Sequence, residues 1–237
     1  MTIDNNQSKP WYRTTGGLVA IILGLLGLAF LISFSFAVYK NLKNIKAEGL
    51  PMTEEQLQRL ETLVSEEAPL FGLSDAPLQI VEFSDFQCPF CRQANPIVME
   101  IVNQYGGLVN LRYRHFPIAD SHPYAFVSAI ASTCAQEQGK FWQYHDLLFA
   151  HQEQLSQKDL YYTLARQAGL EQSAFRECFT SEKYGYRVRK DLSDGLDLGV
   201  IGTPTFFVNG TILSGVISRE QWDTIINAYI SVITPQE

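Results

Sequence analysis

Residues 18–39 run for 22 positions without a charged side chain and are rich in Leu, Ile, Val, Ala, Phe and Gly. As a helix such a run measures about 33 Å, against a bilayer core of about 30 Å. The pattern predicts one transmembrane helix over 18–39, behind a polar tail over 1–17 that is cytoplasmic where the cysteine-bearing domain lies outside. Ser35-Phe36-Ala37 has the small-x-small form of a signal-peptide cleavage site. The apolar run nevertheless exceeds the usual h-region of about 7–15 residues, so an uncleaved anchor is expected, with a cleaved signal as the alternative. Lys9 and Arg13 precede the span and Lys40, Lys43 and Lys46 follow it, a balance that assigns no orientation.

Residues 40–75 read as a linker. After a break at Gly49-Leu50-Pro51, Thr53 opens an amphipathic helix with Gln56 as its capping-box partner and Leu57, Leu60 and Val64 on one face. Pro69, Gly72 and Pro77 then punctuate a loop. The remaining domain, 76–237, begins with a strand over 78–83. Pro89 opens a helix that reaches position 103, with Cys91, Ala94, Val98, Ile101 and Val102 facing inward and Pro96 kinking it. Gly106-Gly107 ends it, and 108–116 reads as a second strand. Five helical patterns follow, over 123–136, 141–151, 158–167, 173–179 and 184–198. The period then changes to a strand over 205–208, an Asn209-Gly210 hairpin signal and a return over 211–213. Ser218 caps a last helix holding Trp222, Ile225, Ile226 and Tyr229. The order is strand–helix–strand, a helical block, a hairpin and a final helix, which without the block is a small α/β layer fold.

The 237 residues are 46% hydrophobic, enough for a real core. A net charge of −7 argues against a nucleic-acid partner. Four cysteines divide into a close pair, Cys88 and Cys91, and two isolated ones, Cys134 and Cys178. Cys88 stands where a strand feeds a helix, so unpaired N–H groups and the positive end of the dipole stabilise its thiolate. Pro89 suits the first helical position, and Cys91 is near enough to close a small ring. Zinc would need two more ligands at close spacing, and covalent haem would need His at position 92, which is Arg. The chemistry expected is thiol–disulfide exchange, with no metal and no cofactor. Cys134 and Cys178 are expected to form a structural disulfide, with two buried free thiols or a relay pair as the other readings. Asp85 caps the loop. His115, His122, His145 and His151 suit surface or packing roles, and Phe141, Trp142, Phe206 and Phe207 suit the core.

Three segments carry a resemblance: Glu82-Phe83-x-Asp85-Phe86-x-Cys88-Pro89-Phe90-Cys91, Gly139-Lys140-Phe141-Trp142, and Gly202-Thr203-Pro204-Thr205-Phe206-Phe207-Val208-Asn209-Gly210. Together they resemble the DsbA-like branch of the thioredoxin superfamily, from Ala76 to Tyr229. The resemblance implies an α/β, thioredoxin-like fold with an inserted helical domain, over about 120–199, that covers the active site. It implies an exposed nucleophile at Cys88, a buried resolving thiol at Cys91, a redox-active Cys88–Cys91 disulfide, and a partly buried acid at Glu82 that assists proton transfer, with a satisfied strand carboxylate as the alternative there. It also implies a cis peptide before Pro204, with Thr203 as the preceding residue. The expected function is a membrane-anchored, extracytoplasmic oxidoreductase, in the periplasm or at the cell exterior, that oxidises cysteine pairs of reduced exported proteins. A membrane partner of the DsbB or vitamin K epoxide reductase-like type would reoxidise it. A reductase or isomerase of the same fold, and a non-catalytic client- or metal-binding assembly factor, are the alternatives. Phe90 stands where the best-known member carries a histidine, and it cannot donate a hydrogen bond to sulfur.

Overall fold

Leu78–Ser84 (β2) is the central strand of a five-stranded mixed sheet and is buried along almost its whole length. The computed structural model describes residues 63–64 and 67–233, nearly all within the compact unit Met52–Ile230. The tail over 1–17, the anchor expected over 18–39 and almost all of the linker helix expected from Thr53 lie outside the described residues. Among the described residues no helix is long and apolar enough to cross a membrane.

Strand order is β1-β3-β2-β4-β5. The strands flanking β2 are β1 (Leu70–Phe71), β3 (Val109–His115), β4 (Thr205–Val208) and β5 (Thr211–Ser214). β3 runs parallel to β2, and β4 and β1 are antiparallel to their neighbours. β1 lies inside the stretch expected to be loop. Two residues are too few to show a period-2 pattern, and only their pairing with Leu111 and Arg112 makes them a strand. The β4–β5 turn has Asn209 at φ 43° and Gly210 at φ 80°, as a type I′ turn requires.

The helices are α1 (Pro89–Tyr105), α2 (Ala125–Glu137), α3 (Phe141–Ala150), α4 (Lys158–Gln167), α5 (Gln172–Thr180), α6 (Gly185–Asp197) and α7 (Arg219–Ile233). α1 buries Cys91, Ala94, Val98, Ile101 and Val102, the face its 3.6-residue period predicts, and continues through Pro96. Strand alternation sorts the rest. Leu78, Ile80, Val109, Leu111, Phe206 and Val208 point to one face, where they pack with α1 and with Trp222 and Ile226 of α7. Val81, Phe83 and Phe207 point to the other, against Phe116 and Val200. α2 to α6 form the insertion between β3 and β4, around a third core that includes Tyr144, Leu164 and Phe175. Cys134 of α2 and Cys178 of α5 are bonded, with Cα atoms 5.8 Å apart. Buried Arg114 of β3 pairs with Asp191 and Asp194 of α6 and so ties the insertion back to the sheet.

Candidate redox site

The chain leaves β2 at Ser84, crosses Asp85–Gln87 and enters α1 with Cys88 as its N-cap, in an extended conformation (φ −74°, ψ 122°). Asp85 holds the crossing. Its Oδ1 accepts the Gln87 N–H at 2.7 Å, and its Oδ2 accepts the Ile118 N–H at 2.9 Å and lies 2.8 Å from His122 Nδ1. No side chain caps α1, so its first-turn N–H groups are free to face the sulfur. Hydrogen bonding from the Cys91 thiol, helped by the backbone N–H groups of Cys91 and Phe90, outweighs burial and lowers the Cys88 thiol from 9.0 to about 5. Cys91 moves the other way, well above 9.0: burial, its bond to Cys88 and the nearby Glu82 charge all oppose its ionisation. Both cysteines are free thiols in this structure.

The Thr203–Pro204 peptide is cis. The Cys88 thiol donates to the Thr203 carbonyl at 3.3 Å, which places that loop directly across from the nucleophile. The Thr205 hydroxyl closes the loop onto the Gly202 carbonyl at 2.7 Å. Cys88 is only 4% exposed, more closed than the resemblance implies, because Thr203 and the turn carrying Gln152 both contact its residue. Two apolar side chains stand open, Phe90 between the cysteines at 59% exposure and Ile201, two residues before Thr203, at 95%.

Below the cysteines lies a buried polar group of side chains. Glu82 pairs in register with Tyr113, and Ser84 with His115, so all four share one face of the sheet. Glu82 Oε1, Ser84 Oγ, Tyr113 Oη and both His115 ring nitrogens have no hydrogen-bond partner among the described residues. Burial, with a smaller contribution from charge at Cys88, raises Glu82 from 4.5 to about 7. Burial also holds the Tyr113 hydroxyl well above 10 and His115 at about 3, so both stay neutral near pH 7. Glu82 is thus not a fully satisfied strand carboxylate. Ser84 and Tyr113 are not singled out by the sequence reading: alternation along β2 puts Ser84 on the face of Glu82, but only the β2–β3 register brings Tyr113 beside them. His145 is buried against the rings of Phe86 and Phe149, a packing role, and Phe206 packs edge-on to Trp222 at 5.2 Å.

A thioredoxin family model matches residues 65–228. Among curated proteins the chain is similar to a protein named Na(+)/H(+) antiporter NhaA 1 from Salinispora arenicola, 46% identical over 142 residues, covering 59% of this chain and 21% of that protein. It is also similar to the NhaA antiporter of Herminiimonas arsenicoxydans, 33% identical over 216 residues, covering 91% of this chain and 32% of that protein. The chain therefore spans between 21% and 32% of the length of these two relatives. Among solved structures, a thioredoxin-like oxidoreductase from Silicibacter pomeroyi is 25% identical with a TM-score of 0.60, covering 70% of this chain and 95% of that one. Oxidised BdbD from Bacillus subtilis is 22% identical at a TM-score of 0.63, over 70% of this chain and 94% of that one. Wolbachia pipientis alpha-DsbA1 is 22% identical at 0.65, over 76% of this chain and 98% of that one. These last two share the fold. A Cys-x-x-Cys pair at a helix head, opposite a cis-proline loop and beside a helical insertion, agrees with those likenesses: the chain belongs to the thioredoxin family.

Proposed function

We propose that this chain is a membrane-anchored thiol oxidase, working outside the cytoplasm on the reduced cysteines of exported proteins. The observation that carries the direction is the asymmetry of the pair, with Cys88 at about 5 and Cys91 well above 9.0. A stable Cys88 thiolate stabilises the dithiol over the disulfide, and so makes the disulfide a good oxidant.

The steps follow from those two sulfurs. A client thiolate attacks Cys88 of the Cys88–Cys91 disulfide. The S–S electron pair leaves on Cys91, and a client–Cys88 mixed disulfide forms. Cys91 binds a proton tightly, so its departure needs a donor. Glu82, at about 7, is close to half-protonated near neutral pH and is assigned that role. A second client thiolate then attacks the client sulfur, and Cys88 leaves as a thiolate needing no proton. The client loses two electrons and its disulfide forms, while the pair gains them as the dithiol. Thr203 and Pro204 line the approach to Cys88, and exposed Phe90 and Ile201 offer apolar contact to unfolded chains with little sequence preference.

Anchoring over 18–39 rests on the apolar run, and reoxidation by a DsbB- or vitamin K epoxide reductase-like membrane protein rests on family resemblance. The absence of a donor at Phe90 favours a weaker oxidant than the strongest members, and keeps a reductase or isomerase as the second reading. The reduction potential of Cys88–Cys91 against glutathione tests the direction. A value well above thioredoxin's, which is about −270 mV, is expected, and one near it would sink the oxidase assignment.

A further inference from the structure

One buried side chain at the redox loop has no part in the exchange steps. Gln152 opens the 3-10 turn Gln152–Gln154 that follows α3, inside the insertion. Its Nε2 donates to the Phe86 carbonyl at 2.8 Å and to the Cys88 carbonyl at 2.9 Å. A single carboxamide thus uses its donor nitrogen on the two carbonyls that bracket Gln87 and Cys88. The turn is held from behind, since the Tyr161 hydroxyl donates to the Leu155 carbonyl at 2.9 Å. Its next residue, Glu153, pairs with Arg92 of α1 at 3.1 Å, but in the open.

We propose that Gln152 is a positioning residue for thiol–disulfide exchange: from the insertion it pins the backbone on both sides of Gln87–Cys88 and fixes the Cys88 sulfur at the head of α1. The Cys88 carbonyl also accepts the Arg92 N–H at 3.2 Å, the bond that starts the helix. A buried carbonyl deprived of its donor carries its desolvation cost unopposed. Without Gln152 both carbonyls turn toward water. That turn moves Cys88 out of the conformation in which the N–H groups of Phe90 and Cys91 face its sulfur. The inference rests on the exchange chemistry alone, so its test stays readable whichever way electrons flow.

The charged and titratable groups around Cys88 are Cys91 and Arg92 on α1, Glu82 on β2, Asp85 and His122 in the flanking loops, and Glu153. Gln152→Met leaves all of them in place; it keeps the length of the side chain and removes its N–H donors. In the reduced full chain, ultraviolet thiolate absorbance against pH should show the Cys88 midpoint raised by about one unit, about tenfold in ionisation. The glutathione equilibrium should shift about tenfold toward the disulfide, about 30 mV more reducing. Gln152→Asn, one methylene shorter, should shift both readings the same way by less, and Glu153→Gln should move neither. A role in folding alone would lower the melting temperature of folded Gln152→Met and leave its titration and potential unchanged, and that result overturns the proposal. Should the Met variant not fold, an unchanged midpoint and potential in folded Gln152→Asn overturn it equally.

Discussion

Ionising Glu82 inside the sheet lowers stability, and Glu82→Gln isolates that effect. Burial raises the carboxyl from 4.5 to about 7, while the Ser84 hydroxyl partly opposes the rise and charge at Cys88 adds to it. A raised acid holds its proton more tightly in the folded chain than in the unfolded one. Below pH 4.5 both states keep the proton and nothing is lost. As pH climbs from 4.5 toward about 7 the unfolded chain ionises first and stability falls; above about 8 both states are ionised and the loss is complete. The difference between 4.5 and about 7, at about 1.4 kcal/mol for each pH unit, amounts to about 3 kcal/mol. The carboxamide of the variant does not titrate. Any fixed cost of burying that amide displaces the whole curve and leaves the pH dependence untouched. The assay is urea unfolding of both proteins from pH 4 to 9, run first on the oxidised form, where Cys88 cannot titrate. In the oxidised form the variant should gain somewhat under about 3 kcal/mol relative to the parent between pH 4 and 9, because no Cys88 thiolate adds to the rise. In the reduced form the gain should reach about 3 kcal/mol, because the Cys88 thiolate then repels the carboxylate. A stability difference that stays constant with pH would refute the reasoning. The same variant should slow release of Cys91 by roughly 100-fold, since an amide cannot supply its proton.

Two further outcomes follow from the geometry. Cys91→Ala should raise the Cys88 titration midpoint, because the Cys91 thiol is the largest cause of its depression; thiolate absorbance against pH measures it, and an unmoved midpoint would contradict the assignment. Replacing Cys134 and Cys178 together by Ala opens a loop of 44 positions and should cost about 4 kcal/mol in the chain-entropy account, read as a lower denaturation midpoint in urea; an unchanged midpoint would show that the bridge constrains little in the unfolded chain.

Short-range chemistry decided much of this molecule. The inward face of α1 was legible because apolar residues recur at helical spacing and Gly106 stops the run. The β4–β5 turn was legible because Asn209 and Gly210 tolerate positive φ. The place of Cys88 was legible because a strand, a proline at the first helical position and an amphipathic stretch follow one another in the chain. Each of these rests on neighbours a few residues apart, where propensity and period operate.

Contacts between distant segments decided the rest. β1 is a strand only because Leu111 and Arg112 pair with it, and two residues carry no period. Of the readings open for Cys134 and Cys178, packing of α2 against α5 selects the bridge. Glu82 holds its proton toward neutral pH only through burial, which no pattern of neighbours along the chain imposes. Gln152 reaches partners 64 and 66 positions away, and nothing within its own turn marks it. The sequence by itself determined which residues react and where in the chain they stand. Only the tertiary structure decided their protonation and support, because desolvation and long-range hydrogen bonds exist only once distant segments pack.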